Sequence, residues 1–171
     1  MSEHTPEIDP TLPEVVRNFL ESGGELEEIR LDERGKWTHE GLHFENPRLI
    51  DLFSRSVGRT EGGTWVLEIH RFTYPITVED TGFFVDSVDW TDDPPTLRIS
   101  DGTTEPLDIT SIDYQRGGRL YCRIKDGEFR ARFKRSAYHS IMEHLHEDHG
   151  QIILTVGDEE ILLADIDELE E

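Results

Sequence analysis

Residues 119–134 alternate between polar and apolar side chains on both sides of Asp126-Gly127, and no other stretch restricts the fold as much. Asp-Gly signals a two-residue hairpin turn. Both central residues of that turn need positive φ, which Gly adopts freely and Asp tolerates. Placing the dipeptide there fixes the register. Lys125 faces Glu128, Ile124 faces Phe129, Arg123 faces Arg130, Cys122 faces Ala131, Tyr121 faces Arg132, Leu120 faces Phe133 and Arg119 faces Lys134. Side chains alternate across a strand, so one face is wholly apolar: Leu120, Cys122, Ile124, Phe129, Ala131 and Phe133. The other carries Arg119, Tyr121, Arg123, Arg130, Arg132 and Lys134. The first face has to meet a core. The second has to meet counter-charge or water.

Counter-charge is abundant elsewhere. The chain has 171 residues, with 38 acids against 17 bases and a net charge of −21. Eight of those bases fall in residues 116–135 against only Asp126 and Glu128, a local charge of +6. Like charges facing each other across a strand pair cost about a few tenths of a kcal/mol each when solvated. Two readings follow. The protein's own acids, on a neighbouring strand or in the acidic tail at residues 165–171, neutralise the face. Alternatively an anionic ligand does, because Arg forks hold phosphate bidentately and Tyr121 can stack on a base or on Arg132.

The same charge balance excludes nucleic acid and anionic membrane as partners, since both need clustered Lys and Arg over a broad surface. Three Lys stand against fourteen Arg, a composition that fits a salty cell interior. Three Trp, eight Phe and four Tyr suffice for a core. No apolar run approaches the roughly 20 residues that cross a bilayer. The start lacks the basic flank and apolar stretch of a signal peptide, so a soluble cytoplasmic protein is expected. The single Cys122 excludes an internal disulfide, and its place on the apolar face makes it core, not nucleophile.

Residues 1–11 are polar and expected to fray. Leu12, Val15, Val16, Phe19 and Leu20 then recur at helical spacing, with Thr11 as N-cap and Gly23-Gly24 as the stop. Ile29 and Leu31 open a hairpin that turns at residues 32–35 and returns through Trp37. Asn46-Pro47 starts a second helix with Leu49, Ile50, Phe53 and Val57 on one face and Gly58 as its stop. Strands follow at residues 65–69, 76–78 and 83–90. The break Asp92-Asp93-Pro94-Pro95 marks a boundary, which gives a leading segment 1–24, a first unit 25–91 and a second unit 92–171. The second unit reads as strands at 97–99 and 107–109, the 119–133 hairpin, a helix from Ser136 to its stop at Gly150, and strands at 152–156 and 161–164.

The halves look alike. Gly35-Lys36-Trp37 matches Gly127-Glu128-Phe129, Leu49, Ile50 and Phe53 match Ile141, Met142 and Leu145 at the same offset, and Val66-Leu67 matches Ile153-Leu154 after a shorter connection. The fold expected is therefore α+β: two tandem related units of antiparallel hairpins with one helix each.

Gly35, Trp37, Gly41, the run Leu49-Ile50-Asp51-Leu52-Phe53-Ser54, Gly63, Trp65, Leu67, the run Ile76-Thr77-Val78-Glu79-Asp80 and Phe83 resemble, in order and spacing, the bacterial family called domain of unknown function 1285. Leu120-Tyr121-Cys122-Arg123-Ile124 and the helix after it fit as well. The resemblance implies duplicated units, the second a pleckstrin-homology-like, partly open barrel. It also implies binding of a small ligand such as a nucleotide between the units, in signalling. On this resemblance Trp37, Glu79, Asp80 and Phe83 are expected at the inter-unit junction. The chain departs from the family pattern at Ile69-His70-Arg71-Phe72-Thr73 and at Thr81-Gly82-Phe83.

Other chemistry is thin. Glu79-Asp80 offers paired carboxylates for acid–base work or a cation, or else a turn cap or a partner for Arg. His139, His144, His146 and His149 crowd the last helix, with His43 distant, but His144 and His146 point different ways on a helix and form no ligand set. No nucleophile elbow, phosphate loop, dinucleotide-binding glycine pattern or zinc-protease motif occurs. No cofactor, metal or catalytic residue is expected. The reading is a non-catalytic ligand-binding or sensing module for a nucleotide-like or other anionic ligand, held by Arg119, Tyr121, Arg123, Arg130, Arg132 and Lys134. The alternatives are a protein–protein scaffold using the first helix and an enzyme acting on a phosphorylated small molecule.

Overall fold

A computed structural model describes residues 7–165. The expected tail at residues 165–171 falls, apart from the backbone of Asp165, outside the described residues, as do the first six residues. The chain divides into two compact units, Met1–Gly82 and Phe83–Glu171. The expected break at residues 92–95 lies inside the second unit. It is the turn between β8 (Phe83–Asp89) and β9 (Thr96–Ile99), which pair antiparallel and therefore belong together.

In the first unit α1 (Glu14–Glu21) is followed by β1 (Ile29–Leu31), β2 (Trp37–His39) and β3 (Leu42–His43). Then come α2 (Pro47–Arg55), β4 (Val57–Arg59), β5 (Trp65–Ile69), β6 (Phe72–Pro75) and β7 (Thr77–Val78). One sheet has the order β3-β2-β1-β7, with β7 parallel to β1, and another is the meander β4-β5-β6. Asn46 caps α2 as its sequence dictates, its side chain accepting from the Arg48 amide at 3.0 Å. Phe53 carries the buried stripe of α2, with the Trp37 ring edge-on at 5.5 Å and the Phe44 ring at 5.2 Å. The helix ends at Ser56, not Gly58, because Gly58 pairs with Val66 in the meander.

Two expectations fail at the start of the chain. Thr11 does not cap α1. Its amide and hydroxyl both donate to Asp9 Oδ1, and Pro13 stands at the cap. The segment from Asp9 onward does not fray, since Asp9 Oδ2 accepts from the hydroxyls of Thr60 and Thr64, while Thr11 Oγ1 accepts from the Gly62 amide. α1 itself buries no residue, and Val15 is 81% exposed.

In the second unit β8 and β9 are followed by β10 (Thr104–Pro106), a 3-10 turn (Ile109–Ser111), β11 (Asp113–Gln115), β12 (Arg119–Ile124) and β13 (Phe129–Phe133). These strands form a six-stranded sheet of order β10-β9-β8-β13-β12-β11, in which β13 runs parallel to β8. The strand expected at 107–109 is replaced by the 3-10 turn, because Asp108 caps it through the Thr110 amide. Next come α3 (Arg135–Met142) and the meander β14 (Leu145–Asp148), β15 (Gln151–Val156) and β16 (Glu159–Asp165). α3 stops at Met142, eight residues before Gly150, because Leu145–Asp148 pairs with β15 and the ladder outweighs helical spacing. His149 and Gly150 both have positive φ and make a hairpin turn.

Hairpin, helix and three-stranded meander thus follow one another in both units. Trp37 and Phe129 each open the second strand of their hairpin. The constant offset breaks at Phe53 and Leu145, since the first is helical and the second begins β14. Among the described residues the molecule is mixed α+β, with three α-helices and sheets that are mainly antiparallel and none closed. No described helix is long and apolar enough to cross a membrane.

Candidate functional site

The β12–β13 ribbon has the register its alternation dictates: Tyr121 opposite Arg132, Cys122 opposite Ala131, Arg123 opposite Arg130 and Ile124 opposite Phe129. Lys125, Asp126 and Gly127 sit at φ 53°, 58° and 81°, and the amides of Gly127 and Glu128 donate to the carbonyls of Ile124 and Lys125, each at 3.1 Å. The turn therefore spans residues 125–128, and the expected Lys125–Glu128 pair is absent from the ladder because the Lys125 amide donates to Glu105 instead. Leu120, Cys122, Ile124, Ala131 and Phe133 are buried. Half-buried Phe129 lies 4.8 Å from the Phe83 ring.

The opposite face is not the open basic patch that alternation alone implies. Tyr121 is 1% exposed, with the Arg130 guanidinium 4.0 Å above its ring, so the phenol stacks on an Arg of its own ribbon and no base can reach it. The stems of long cations cover an apolar ring set between them. Arg130 and Arg132 are half-buried and already engaged. Lys134 Nζ lies 3.1 Å from Asp86 Oδ1. The register of β8 slips between Val85 and Ser87, and this bulge carries Asp86. Arg119 donates through Nε to the Arg116 carbonyl at 3.2 Å. Arg123 differs. Its side chain is exposed, its amide donates to Ser111 Oγ at 3.0 Å, and its guanidinium makes no ion pair among the described residues.

Arg123 lines a groove of about 520 Å³ at the ribbon tip, with Glu105, Pro106, Asp108, Lys125, Asp126 and Gly127. Lys125 is held from three sides. Its Nζ pairs with Asp101 Oδ2 at 2.7 Å, its ammonium lies 5.3 Å from the Phe83 ring centre, and its amide donates to both oxygens of Glu105 at 3.1 Å. Burial raises the Asp101 carboxyl, but hydrogen bonds from Lys125 and Thr103 outweigh it and hold the group below the ordinary carboxylate range. Behind the groove, burial and then the charges of Glu105 and Asp108 push the Cys122 thiol up to about 12, so it stays protonated and inert.

Sequence reasoning missed Glu105, Asp108 and Lys125 as neighbours of Arg123. Lys125 stood beside the turn in the register. Glu105 belongs to β10, which no periodicity marked, and Asp108 was read within a strand at 107–109 but caps the 3-10 turn.

The four residues expected at a junction divide between the units. Trp37, Glu79 and Asp80 lie in the first and Phe83 in the second. Trp37 is buried and donates Nε1 to Ser54 Oγ at 3.1 Å. Glu79 accepts from Arg30 Nη1 at 3.2 Å through one oxygen and from the Glu33 amide at 3.1 Å through the other. Its carboxylate therefore ties the β1 strand to the 32–35 turn, and Asp80 is likewise engaged. Phe83 is buried in β8. His144, His146 and His149 lose their helical setting with the shortened α3, whereas His139 keeps it. His144 stacks on Trp90 at 3.6 Å, and His146 Nδ1 lies 3.3 Å from Thr155 Oγ1. Among the described residues no group of three His, Cys, Asp or Glu side chains could hold a metal.

No family model matches the sequence, and no curated protein does. Solved structures do. A DUF1285 family protein from Silicibacter pomeroyi DSS-3 superposes with a TM-score of 0.61 at 18% identity, covering 84% of this chain and 83% of its own. A second, from Shewanella baltica OS155, gives 0.53 at 16% identity over 69% of this chain and 92% of its own. The chain has the DUF1285 fold. The resemblance carried by Trp37, Leu49-Ile50 and Ile76-Thr77-Val78 therefore holds at the level of architecture. The DUF1285 fold carries no assigned activity, and fold alone does not supply one.

Proposed function

We propose that this DUF1285-like chain is a non-catalytic ligand-binding module, serving bacterial sensing or signalling, whose ligand presents an anionic group to Arg123. One observation carries the reading: an exposed guanidinium lining a groove, with no ion pair among the described residues, in a protein rich enough in carboxylates to have matched it. Arg is suited to the task because its donors form a fixed fork that fits carboxylate or phosphate. Of the six ribbon residues first considered, Arg123 carries the proposal. Arg119, Arg130, Arg132 and Lys134 do not line the groove, and Tyr121 is buried.

We also read the second unit as pleckstrin-homology-like. In support, a six-stranded sheet, a three-stranded meander and one helix make up the unit, and β16 packs beside β11 and the 3-10 turn without joining their ladder. That is how a barrel stands partly open.

Calorimetric titration of the full chain with orthophosphate, mononucleotides, carboxylates and amino acids tests the ligand reading. Heat with at least one class, lost in Arg123→Ala, is expected. No heat with any of them overturns it.

A further inference from the structure

The groove at the ribbon tip has a charge pattern that selects among anionic ligands. This step rests on the ligand-binding reading above. Its lining carries Arg123 and Lys125 against Glu105, Asp108 and Asp126. Lys125 is cancelled by Asp101, 2.7 Å away. The hydrogen bonds that Glu105 and Asp108 accept come from neutral donors: the Lys125 amide for Glu105, and the Thr110 amide and hydroxyl for Asp108. Neutral donors orient a carboxylate but do not remove its charge. One uncancelled cation therefore stands in a groove with three carboxylates.

We infer that this groove takes a compact zwitterion, its carboxylate on Arg123 and its ammonium toward Glu105, Asp108 and Asp126. A polyphosphate would meet one Arg and three like charges, on a chain of net charge −21 that repels it at long range as well. A simple monoanion would satisfy Arg123 and leave the carboxylates unmatched. A ligand with both ends charged matches both signs of charge in the lining. At about 520 Å³ the groove lies within the range for small-ligand pockets, roughly 300–1,000 Å³, and admits such a molecule together with water. The contacts of Lys125 with Asp101 and Glu105 fix its side chain and backbone in the lining, so that part of the groove is preorganised.

The test is an amide-resolved NMR titration of the full chain with ω-amino acids of graded length (3-aminopropionate, 4-aminobutyrate, 6-aminohexanoate), beside butyrate, butylamine, orthophosphate and ADP. Saturable shifts at Arg123, Lys125, Asp126 and Gly127 are expected with at least one amino acid, at an affinity tenfold or more above butyrate and butylamine. Arg123→Gln, an exposed change that keeps the fold, abolishes them, and Glu105→Gln weakens them while retaining an acceptor for the Lys125 amide. Tighter binding of orthophosphate, ADP or butyrate at those amides overturns the zwitterion assignment and leaves the ligand-binding reading standing. Absence of shifts with every probe overturns both.

Discussion

Asp101 and Lys125 join the β9–β10 turn to the ribbon tip, and their coupling can be measured directly. Asp101 Oδ2 lies 2.7 Å from Lys125 Nζ, with side-chain exposures of 10% and 28%. Fully exposed pairs contribute about 0.2–1 kcal/mol, whereas stranding one partner of a buried pair costs about 3–5 kcal/mol. One partner here is nearly buried and the other partly wet, so a coupling of about 1–2 kcal/mol is expected, discounted for the solvent that reaches Lys125. Asp101→Asn keeps Oδ1 as acceptor for the amide and hydroxyl of Thr103, at 3.0 and 2.6 Å, and removes only the charge. Lys125→Met keeps much of the stem over Phe83. A double-mutant cycle by urea unfolding, followed by circular dichroism, isolates the pair. Each single variant lowers the melting temperature by roughly 3–6 °C in a chain of this size.

The pH dependence has a definite sign. The folded Asp101 carboxyl is held below its unfolded value, so its contribution is complete above about pH 4 and is lost as pH falls through the folded value. The coupling measured at pH 7 therefore shrinks toward zero in acid. A coupling under about 0.3 kcal/mol at pH 7, within the scatter of independent sites, or one undiminished at pH 2, refutes the reasoning.

Gly127→Ala should cost about 1 kcal/mol from its left-handed φ alone, because an added Cβ meets no atom within 4 Å. A variant as stable as the parent would mean that the turn is not left-handed there. Cys122 should resist a disulfide thiol reagent at pH 8 while folded and react fully in urea, given a thiol pushed up to about 12 behind β12. Modification of the folded protein would contradict that burial. Asp9→Ala should speed amide exchange at Gly62 and Thr64, since the carboxylate holds the hydroxyls of Thr11 and Thr60 that accept from those amides. Unchanged exchange would show that the turn at residues 60–64 stands without the N-terminal clamp.

Asp126-Gly127 and Asn46-Pro47 show what the chain determines by itself. A left-handed turn, a period of two and a side-chain cap involve atoms a few residues apart, so the ribbon's register and the start of α2 are legible without any fold. The break at residues 92–95 and the long last helix show the reverse. Local punctuation marks a turn but cannot tell a domain boundary from a β8–β9 connection, and helical spacing at residues 143–149 yields once β15 offers a ladder. The candidate site divides in the same way. That Arg123 shares a face with Arg130 and Arg132 was fixed by alternation. That Tyr121 lies buried beneath Arg130, that Lys134 meets Asp86 on a bulge, and that Glu105 and Asp108 stand beside Arg123 depended on strands distant in sequence. Side-chain alternation is set by neighbouring dihedrals, whereas counter-charge acts through distance in space, and only the tertiary structure says which of 38 carboxylates comes near which cation.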